Sequence, residues 1–537
     1  MGYRYKLGID FGTTNSSIAL RYAPEMKDLE TVVFDADPHN KGMESLLPSL
    51  LYLDEEGREL VGVDALRASS LAGPELNHKL IRTIKLELDR AQEDVKFITI
   101  GAKDYYISDI IALILQRMME EVGSLSVQID GVVFGHPVDY NDKCKQVMVE
   151  AAYKAGIYAT LGEARKKTVF VAEPVAVALD YAIDLREEKT IFVFDFGGGT
   201  LDTTIMKLKV QNEDDIFKPH EAIAKDRLTV GGELFTEELF KHGFLNKYGI
   251  EKFLKDFHIK EKLDRNELWD YLLENKMGIM FIQEMDWVKR MLSKRSNEIL
   301  SFIKTDSDGT QYIIEQELTA QDFEDSIDHH FHDITESIKA CLDLAKKKGG
   351  VEKKDIDVVL LAGGSSTIPC IVKLVKEVFG NDRVIEPKKN QQLTSIVKGL
   401  AIAGLREGDS RLLEDIVESN YGIYDSLNEN VAVIIPRGTK ISDTEFDKET
   451  LIGGAYDEFV AINDKVPLIR IFQNGDELGY FTLPEYGSGS YRVYFKVDED
   501  KGWLSVYIYD IAANKWLEGD KDFDGNNCVF FMDSLLA

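Results

Sequence analysis

Two stretches of this 537-residue sequence place carboxylate, glycine and hydroxyl side chains in a shared pattern. The first runs Gly8-Ile9-Asp10-Phe11-Gly12-Thr13-Thr14-Asn15-Ser16-Ser17-Ile18, and the second Phe194-Asp195-Phe196-Gly197-Gly198-Gly199-Thr200-Leu201-Asp202-Thr203-Thr204-Ile205. Each reads as an apolar strand ending at an Asp, a tight Gly/Thr turn and a second strand, a β-hairpin whose turn exposes backbone N–H groups. Glycine permits positive φ and close approach of a bulky anion, and Thr13, Thr14 and Thr200 add hydroxyl donors, so the turn suits phosphate. A carboxylate beside a phosphate is repulsive unless a divalent cation lies between them, and magnesium is typically held by one or two carboxylates, waters and substrate phosphates. Asp10, Asp195 and Asp202 therefore read as a magnesium shell acting through water. One glycine-rich hairpin alone is equally well an ordinary turn. The shared Asp-Phe-Gly core implies an internal duplication, two lobes each presenting a phosphate turn to one cleft.

The elements that must carry these turns alternate. Ser49 to Tyr52 and Leu60 to Val63 read as short strands around a turn at Glu56-Gly57, followed by the segment from His78 to Leu88, in which Lys85 taken alone is a solvated helix residue. Ile111, Ile114, Leu115 and Met118 give a helical period from Ser108 to Val122. Gly131 to Gly135 is a buried strand stopping at His136-Pro137, Asn141 and Asp142 cap a helix to about Gly156, and Thr168 to Val171 is a strand before a helix opened by Glu173-Pro174. The alternation is that of an α/β fold. Between Gly231 and Leu292 the pattern is helical. Asp286, Lys289, Arg290 and Ser293 fall on one face, either a solvated surface or a nucleoside-binding one in which Lys and Arg stems flank a base while Asp and Ser meet its sugar. Thr319 and Asp322 cap one long helix to Gly349-Gly350; His329 and His332 within it could chelate a metal, but no second cluster completes a site, and the surface reading is preferred. Val358 to Leu361 is a strand broken by Ala362-Gly363-Gly364-Ser365-Ser366 before a helix near Pro369. Beyond Tyr421 alternation replaces the helical period, with turns at Asn474-Gly475 and Lys501-Gly502, as in an antiparallel β-domain. Asp520 to Gly525 opens like a calcium loop, but Phe531 stands where a bidentate Glu is needed, so it reads as an acidic turn.

Lys and Arg total 64 against 94 Asp and Glu, a net charge of −30. Such a field repels nucleic acid and anionic membrane, so neither is an expected partner. Cys144, Cys341, Cys370 and Cys528 are scattered, which points to a reducing, cytoplasmic setting. No apolar run has membrane length, the first motif begins too near Met1 for a leader peptide, and Lys6 stands where a myristoylation signal wants Ser or Thr.

Together these residues resemble the 70-kDa heat-shock chaperone family of the actin-like ATPase superfamily, over nearly the whole chain. Ile9 to Ser16 matches its first phosphate motif, Asp195 to Asp202 the second, and Gly363-Gly364-Ser365-Ser366 with Ile368-Pro369 its adenosine motif; Ala172-Glu173-Pro174 and Gly231-Gly232-Glu233 fall in the expected order. The resemblance implies a two-lobed, duplicated actin-like ATPase domain over 1–408, a linker over 409–419 and a substrate-binding-like antiparallel β-sandwich over 420–537. It implies ATP or ADP with Mg²⁺, and K⁺ as a further ion. Phosphates are expected at Gly12, Thr13, Thr14, Asn15, Gly197, Gly198 and Gly199, the nucleoside at Asp286, Lys289, Arg290, Ser293, Gly363, Gly364, Ser365 and Thr367, and Gly231 and Gly232 are further nucleotide-binding residues. Lys85 matches the catalytic lysine, implied to hold the γ-phosphate and attacking water, with Asp10, Glu173, Thr200 and Asp202 completing the catalytic set and Glu173 and Pro137 relaying nucleotide state. Unfolded polypeptide is the implied client, with a co-chaperone and a nucleotide-exchange factor as further partners. Three departures stand out: Thr367 where the family has an Arg that stacks on adenine, Glu414 and Asp415 inside the linker, and an end at Ala537 where the family continues into a helical lid, so looser peptide holding is expected. A small-molecule kinase of the same superfamily and a nucleotide-gated module or filament former are the rival readings.

Overall fold

The structure is a computed structural model that describes residues 3–22, 30–41, 43–53, 58–71, 80–91, 93–100, 102–122, 129–138, 140–183, 185–209, 220–306, 309–386, 393–404, 406–407, 413–425, 430–448, 450–460, 468–482, 490–498 and 504–517. The turns expected at Glu56-Gly57 and Lys501-Gly502, the acidic run Asp520 to Gly525, and Cys528 lie outside them.

Two mixed sheets follow one order. In the first, β1 (Tyr3–Asp10) lies antiparallel to β2 (Asn15–Tyr22), which pairs β3 (Glu30–Val33); on its other side β1 runs parallel to β4 (Ile129–His136), and β4 to β5 (Val169–Ala172). In the second, β6 (Lys189–Phe196) and β7 (Leu201–Leu208) form the antiparallel hairpin, β8 (His220–Leu228) follows β7, and β9 (Val358–Ala362) and β10 (Val384–Ile385) continue in parallel beyond β6. The central strands are covered on both faces, which is why Ile191 to Phe196 is an unbroken apolar run apart from Asp195. Each Gly/Thr turn thus sits at the same end of a matching sheet.

The helices that place the site are α1 (Ile84–Ala91), α2 (Ile107–Glu120), α3 (Asp142–Lys154), α4 (Glu173–Ala182), α5 (Gly232–Glu238), α6 (Lys276–Leu292), α7 (Ala320–Ile327), α8 (Phe331–Gly349), α9 (Pro369–Phe379) and α10 (Ser395–Ala403). The expected caps hold their helices: the Asn141 side chain accepts from Lys143 N, Thr319 and Asp322 form a reciprocal box, and Pro174 and Pro369 stand in first turns. The single helix expected after Thr319 is instead broken, because Asp328–His330 forms one 3₁₀ turn between α7 and α8. A π turn, Leu239–Phe244, continues α5.

Helices α4 and α10 cross between the two sheets and share a core with both, through Val175, Leu179, Leu400 and Ile396 against Val133, Val193, Met206 and Leu360. The crossing is close enough that a Cβ on Gly399 would lie 1.7 Å from the Ala176 carbonyl oxygen, and one on Gly8 of β1 would lie 2.5 Å from Ala401 N. Cys144, Cys341 and Cys370 are free thiols, all buried.

From Tyr421 the chain forms two antiparallel four-stranded sheets. With β12 (Tyr421–Asp425), β13 (Asn430–Ile435), β14 (Ala455–Val460), β15 (Leu468–Gln473), β16 (Asp476–Thr482), β17 (Ser490–Val497), β18 (Leu504–Asp510) and β19 (Lys515–Trp516), the orders are β13-β12-β15-β16 and β14-β17-β18-β19. Ile423, Ile471 and Leu478 of one meet Val493, Phe495 and Val506 of the other in a single core. Asn474 and Gly475, both at positive φ, turn β15 into β16.

Of the stretch expected to be a linker, the described residues 413–419 are docked against the preceding sheets. Its β11 (Leu413–Glu414) runs parallel to β8, adding a sixth strand to the second sheet, and Ile416 enters the core between the sheets. Lys225 of β8, 1% exposed at its side chain, takes Asp415 at 2.7 Å and Glu418 at 2.7 Å. Asp142 of α3 accepts from Tyr421 Oη (3.1 Å) and from Leu504 N (2.9 Å), so one buried carboxylate holds both β-rich sheets against the first part of the chain.

Candidate active site

The two turns face each other across one cleft. Its walls carry Asp10, Gly12, Thr13, Thr14 and Asn15 from the first turn and Asp195, Gly197, Gly198, Gly199 and Thr200 from the second, with Lys85, Pro137 and Glu173 between them. A Cβ would be crowded at three of these glycines, while at Gly197 it would meet only Thr200 O at 3.8 Å. A Cβ on Gly198 would lie 2.5 Å from Thr14 Oγ1, one on Gly199 2.7 Å from Leu86 Cδ2, and one on Gly12 2.1 Å from Asn15 O. Gly231 is not on the wall but beneath it, where a Cβ would meet Gly198 O at 2.3 Å. Gly232 N and Glu233 N donate to Gly197 O (3.1 Å) and Gly198 O (2.8 Å), so the start of α5 props the second turn.

Lys85 sits one residue into α1, and the turn before it holds Thr83 at a φ of 52°, an unusual conformation for a β-branched residue. The ammonium donates to Glu173 Oε1 at 2.5 Å, both groups being about nine-tenths buried. Burial pulls the Lys85 pKa down, but Glu173, Asp10 and Asp202 more than reverse it, so the lysine stays charged. Burial and then Glu173 push Asp10 up to about 7, against the pull of Lys85. Asp202, also off the wall, is pushed up to about 7 by burial against Arg227, and accepts from Thr200 Oγ1 (2.7 Å) and Val138 N (2.7 Å). Asp195 is raised well above the usual range by burial and by Glu173, Asp202 and Asp10. Its Oδ2 is buried with no hydrogen-bond partner among the described residues.

Four carboxylates thus share a buried site with too little cationic charge of its own. Raised pKa values and an orphaned carboxylate oxygen are what a divalent cation would relieve, and an all-oxygen donor set suits magnesium. The residues present fit that ion.

A model of the Hsp70 protein family matches residues 6–515 of the chain. The chain belongs to the Hsp70 family. Members of that family are ATPases of the chaperone class that bind ATP or ADP with magnesium.

At the far end of the cleft this Hsp70-family chain brings α6 together with the turn after β9. Asp286, Lys289, Arg290, Ser293, Gly363, Gly364, Ser365 and Thr367 all line the wall. Lys289 is not free to flank a base: its ammonium donates to Gly232 O (2.6 Å) and Thr236 Oγ1 (2.7 Å) and pairs with Asp286 (2.7 Å), tying α6 to α5. Burial would raise Asp286, but Lys289 and Arg290 hold it well below the usual carboxylate range. Arg290 keeps a side chain 47% exposed, and Ser365 Oγ donates to Gly197 O (2.7 Å), linking the third turn to the second. Thr367 Oγ1 is turned back onto Gly364 O (2.8 Å).

Several wall residues carried no sequence signal. Thr14 Oγ1 donates to Glu233 Oε1 (2.9 Å), and Arg227 pairs with both oxygens of Asp89 (2.6 and 3.2 Å), each contact joining the two sheet-bearing parts across the cleft. Trp287, 43% exposed, stands beside Arg290 on the wall. Glu233 was visible only as part of Gly-Gly-Glu. Arg227, Asp89 and Trp287 depend on partners more than a hundred residues away or on the direction of one helix face.

Proposed function

We propose that the protein is an ATP-dependent molecular chaperone in which a duplicated, two-lobed ATPase, residues 1–408, drives a polypeptide-binding β-sandwich, residues 420–537, through the segment 409–419. One observation carries this reading: two Gly/Thr turns from matching sheets meet across one cleft with Lys85 and Glu173 paired between them. The turns bind the phosphate chain through their amides and the hydroxyls of Thr13 and Thr14. Arg290 and Trp287 wall the nucleoside end, opposite Gly363, Gly364 and Thr367. The paired Lys85 offers a fixed positive charge beside the phosphate turns, and catalysis of this kind rests on such positioning and electrostatics. Glu173 and the Thr200–Asp202 pair are the groups able to orient a water and accept its proton. Magnesium held through Asp10, Asp195 and Asp202 supplies neutralisation of the phosphate charge when bound.

A contiguous set of buried contacts runs from this chemistry to the docked segment. Asp202 holds Val138 N, the Pro137 carbonyl accepts from His136 Nδ1 (2.7 Å), and His136 lies 3.8 Å from Glu418, which pairs with Lys225. Opening at the cleft would move the loop after β4 and so loosen the Lys225–Asp415–Glu418 cluster. The test is single-turnover ATP hydrolysis with and without an unfolded, apolar-rich peptide. Stimulation by peptide is expected; turnover indifferent to peptide but stimulated by a sugar would replace the chaperone reading with the kinase one.

A further inference from the structure

Away from the cleft, four side chains converge that the sequence separates by some ninety residues. Glu238 ends α5, His242 lies one turn on in the π turn, and His329 and His330 occupy the 3₁₀ turn between α7 and α8. Glu238 Oε2 is 3.3 Å from His242 Nε2 and 3.7 Å from His329 Nε2, while Oε1 is 3.7 Å from His330 Nε2. The His329 and His330 rings are 4.0 Å apart. One ligand atom from each of Glu238, His329 and His330 fits within a 4.8 Å sphere of mutual distances. His332, expected to pair with His329, is exposed and outside the group.

The spacings are long for an N–H to carboxylate hydrogen bond, which runs about 2.7–3.2 Å. The 3.3 Å spacing matches instead the edge of a coordination tetrahedron, about 3.3–3.6 Å for metal–ligand bonds of about 2.0–2.2 Å, and the two 3.7 Å spacings lie just beyond it. Glu238 Oε2 and His330 Nε2 are buried and have no hydrogen-bond partner among the described residues, which is rare for such groups in a folded protein. His242 and His329 are half-exposed, which leaves a route from solvent. Two local irregularities aim the ligands: the π turn displaces His242 from regular helical register, and the 3₁₀ turn presents two successive histidines. Single π turns within helices are frequent at functional sites.

We propose that Glu238, His242, His329 and His330 form a binding site for a divalent transition-metal ion of the zinc class. Imidazole nitrogen with one carboxylate is a zinc, copper or nickel donor set and not a magnesium one, so the site is chemically distinct from the cleft. The ion would clamp the end of α5 to the start of α8. Helix α5 begins at Gly232 and Glu233, which prop the second phosphate turn, so the clamp would brace that helix from its opposite end.

The test titrates the nucleotide-free full chain with Co²⁺ in excess Mg²⁺. One Co²⁺ per chain with a visible d–d band of tetrahedral intensity, displaced by Zn²⁺, is expected. H329A/H330A should weaken binding by about a hundredfold and H242A by about tenfold, with far-UV circular dichroism unchanged. Independently of any variant, Zn²⁺ should slow carbethoxylation of His242 and His329 in the wild type at least tenfold, read by peptide mass. No band in the wild type, a band untouched in E238Q and H329A/H330A, or carbethoxylation indifferent to Zn²⁺ would each overturn the site.

Discussion

Among the described residues Lys85 is the one ammonium set between Asp10, Glu173, Asp195 and Asp202: it donates to Glu173, Asp10 and Asp202 favour its charged form, and its charge opposes the rise of Asp195. Replacing it with Ala removes the positive charge facing the phosphate turns without disturbing the amides and hydroxyls that form them. K85A should therefore lower single-turnover hydrolysis by about 10²–10³-fold, the range for deleting one preorganised electrostatic group, while ATP affinity changes by less than about tenfold. Near-normal turnover would remove Lys85 from the chemistry. The Gly/Thr turns were legible as sequence because much of their pattern is local: a glycine at Gly12, where a Cβ would strike Asn15 O, hydroxyls beside it and an Asp at the strand end; Gly198 and Gly199 are crowded instead by Thr14 and Leu86 from the facing half. Lys289 was legible only in part. Its spacing put it on the correct helix face, but whether an ammonium meets a ligand or a neighbouring carbonyl depends on Gly232 and Thr236, which no helical period encodes. The same holds for the histidines, where i and i+3 suggested His329 with His332, whereas a 3₁₀ turn favours the adjacent pair.

Among the elements, the crossing of α4 and α10 is the closest-packed joint between the two sheets. Gly399 lies where any side chain would overlap the Ala176 carbonyl, and main chain cannot yield as a side-chain terminus can. G399A should cost about 1–3 kcal/mol, as overpacking of a dense core does, and lower the urea midpoint. An unchanged midpoint would mean the helices separate freely, and the joint would not be rigid. Helix starts were readable because a cap is chosen by its own chain: Asn141, Thr319 and the prolines of α4 and α9 needed no tertiary information. The break between α7 and α8 was not, since Asp328, His329 and His330 contain neither Gly nor Pro, and the 3₁₀ turn places His330 against Phe235 and Glu238 from another helix. Nor was β11, whose two residues make a strand only because β8 offers an edge.

For the molecule as a whole, acid is the natural probe of how the β-rich sheets are held. Burial takes the His136 pKa down to about 3, with Glu418 opposing, and that of His220 down to about 4. Burial would raise Glu418, but Lys225 and His136 bring it down to about 2. For each histidine the unfolded chain, titrating near 6.5, binds a proton that the folded state refuses, so stability is complete above pH 6.5 and falls as the pH drops toward 4 and 3. Glu418 acts in the same sense at lower pH, its contribution present above about 4.5 and lost toward 2. Each such histidine contributes a slope of about 1.4 kcal/mol per pH unit inside its window. Asp10 and Asp202, raised to about 7, and Asp195, also raised, act in the opposite sense over the same range, so the histidine is read as a difference: between pH 7 and pH 5 the wild-type urea midpoint should fall more, or rise less, than that of H136N, and identical profiles would contradict the buried, neutral His136. The general architecture, α/β followed by antiparallel strands, was legible because periods of 3.6 and 2 are written along the chain. The docking was not, because Asp142 meets Tyr421 and Leu504 only after both parts have folded. The buried thiols give that architecture a clock of its own. Cys144 donates to Leu88 O of α1, two residues from Asp142, while Cys341 and Cys370 lie in the core beneath the second sheet, their pKa values pushed by burial up to about 12 and about 11. Thiols so placed are inert to alkylation until their surroundings open, so the rate at which each acquires label, resolved by mass, times the parting of the two halves of the native chain with no dye attached and no residue changed.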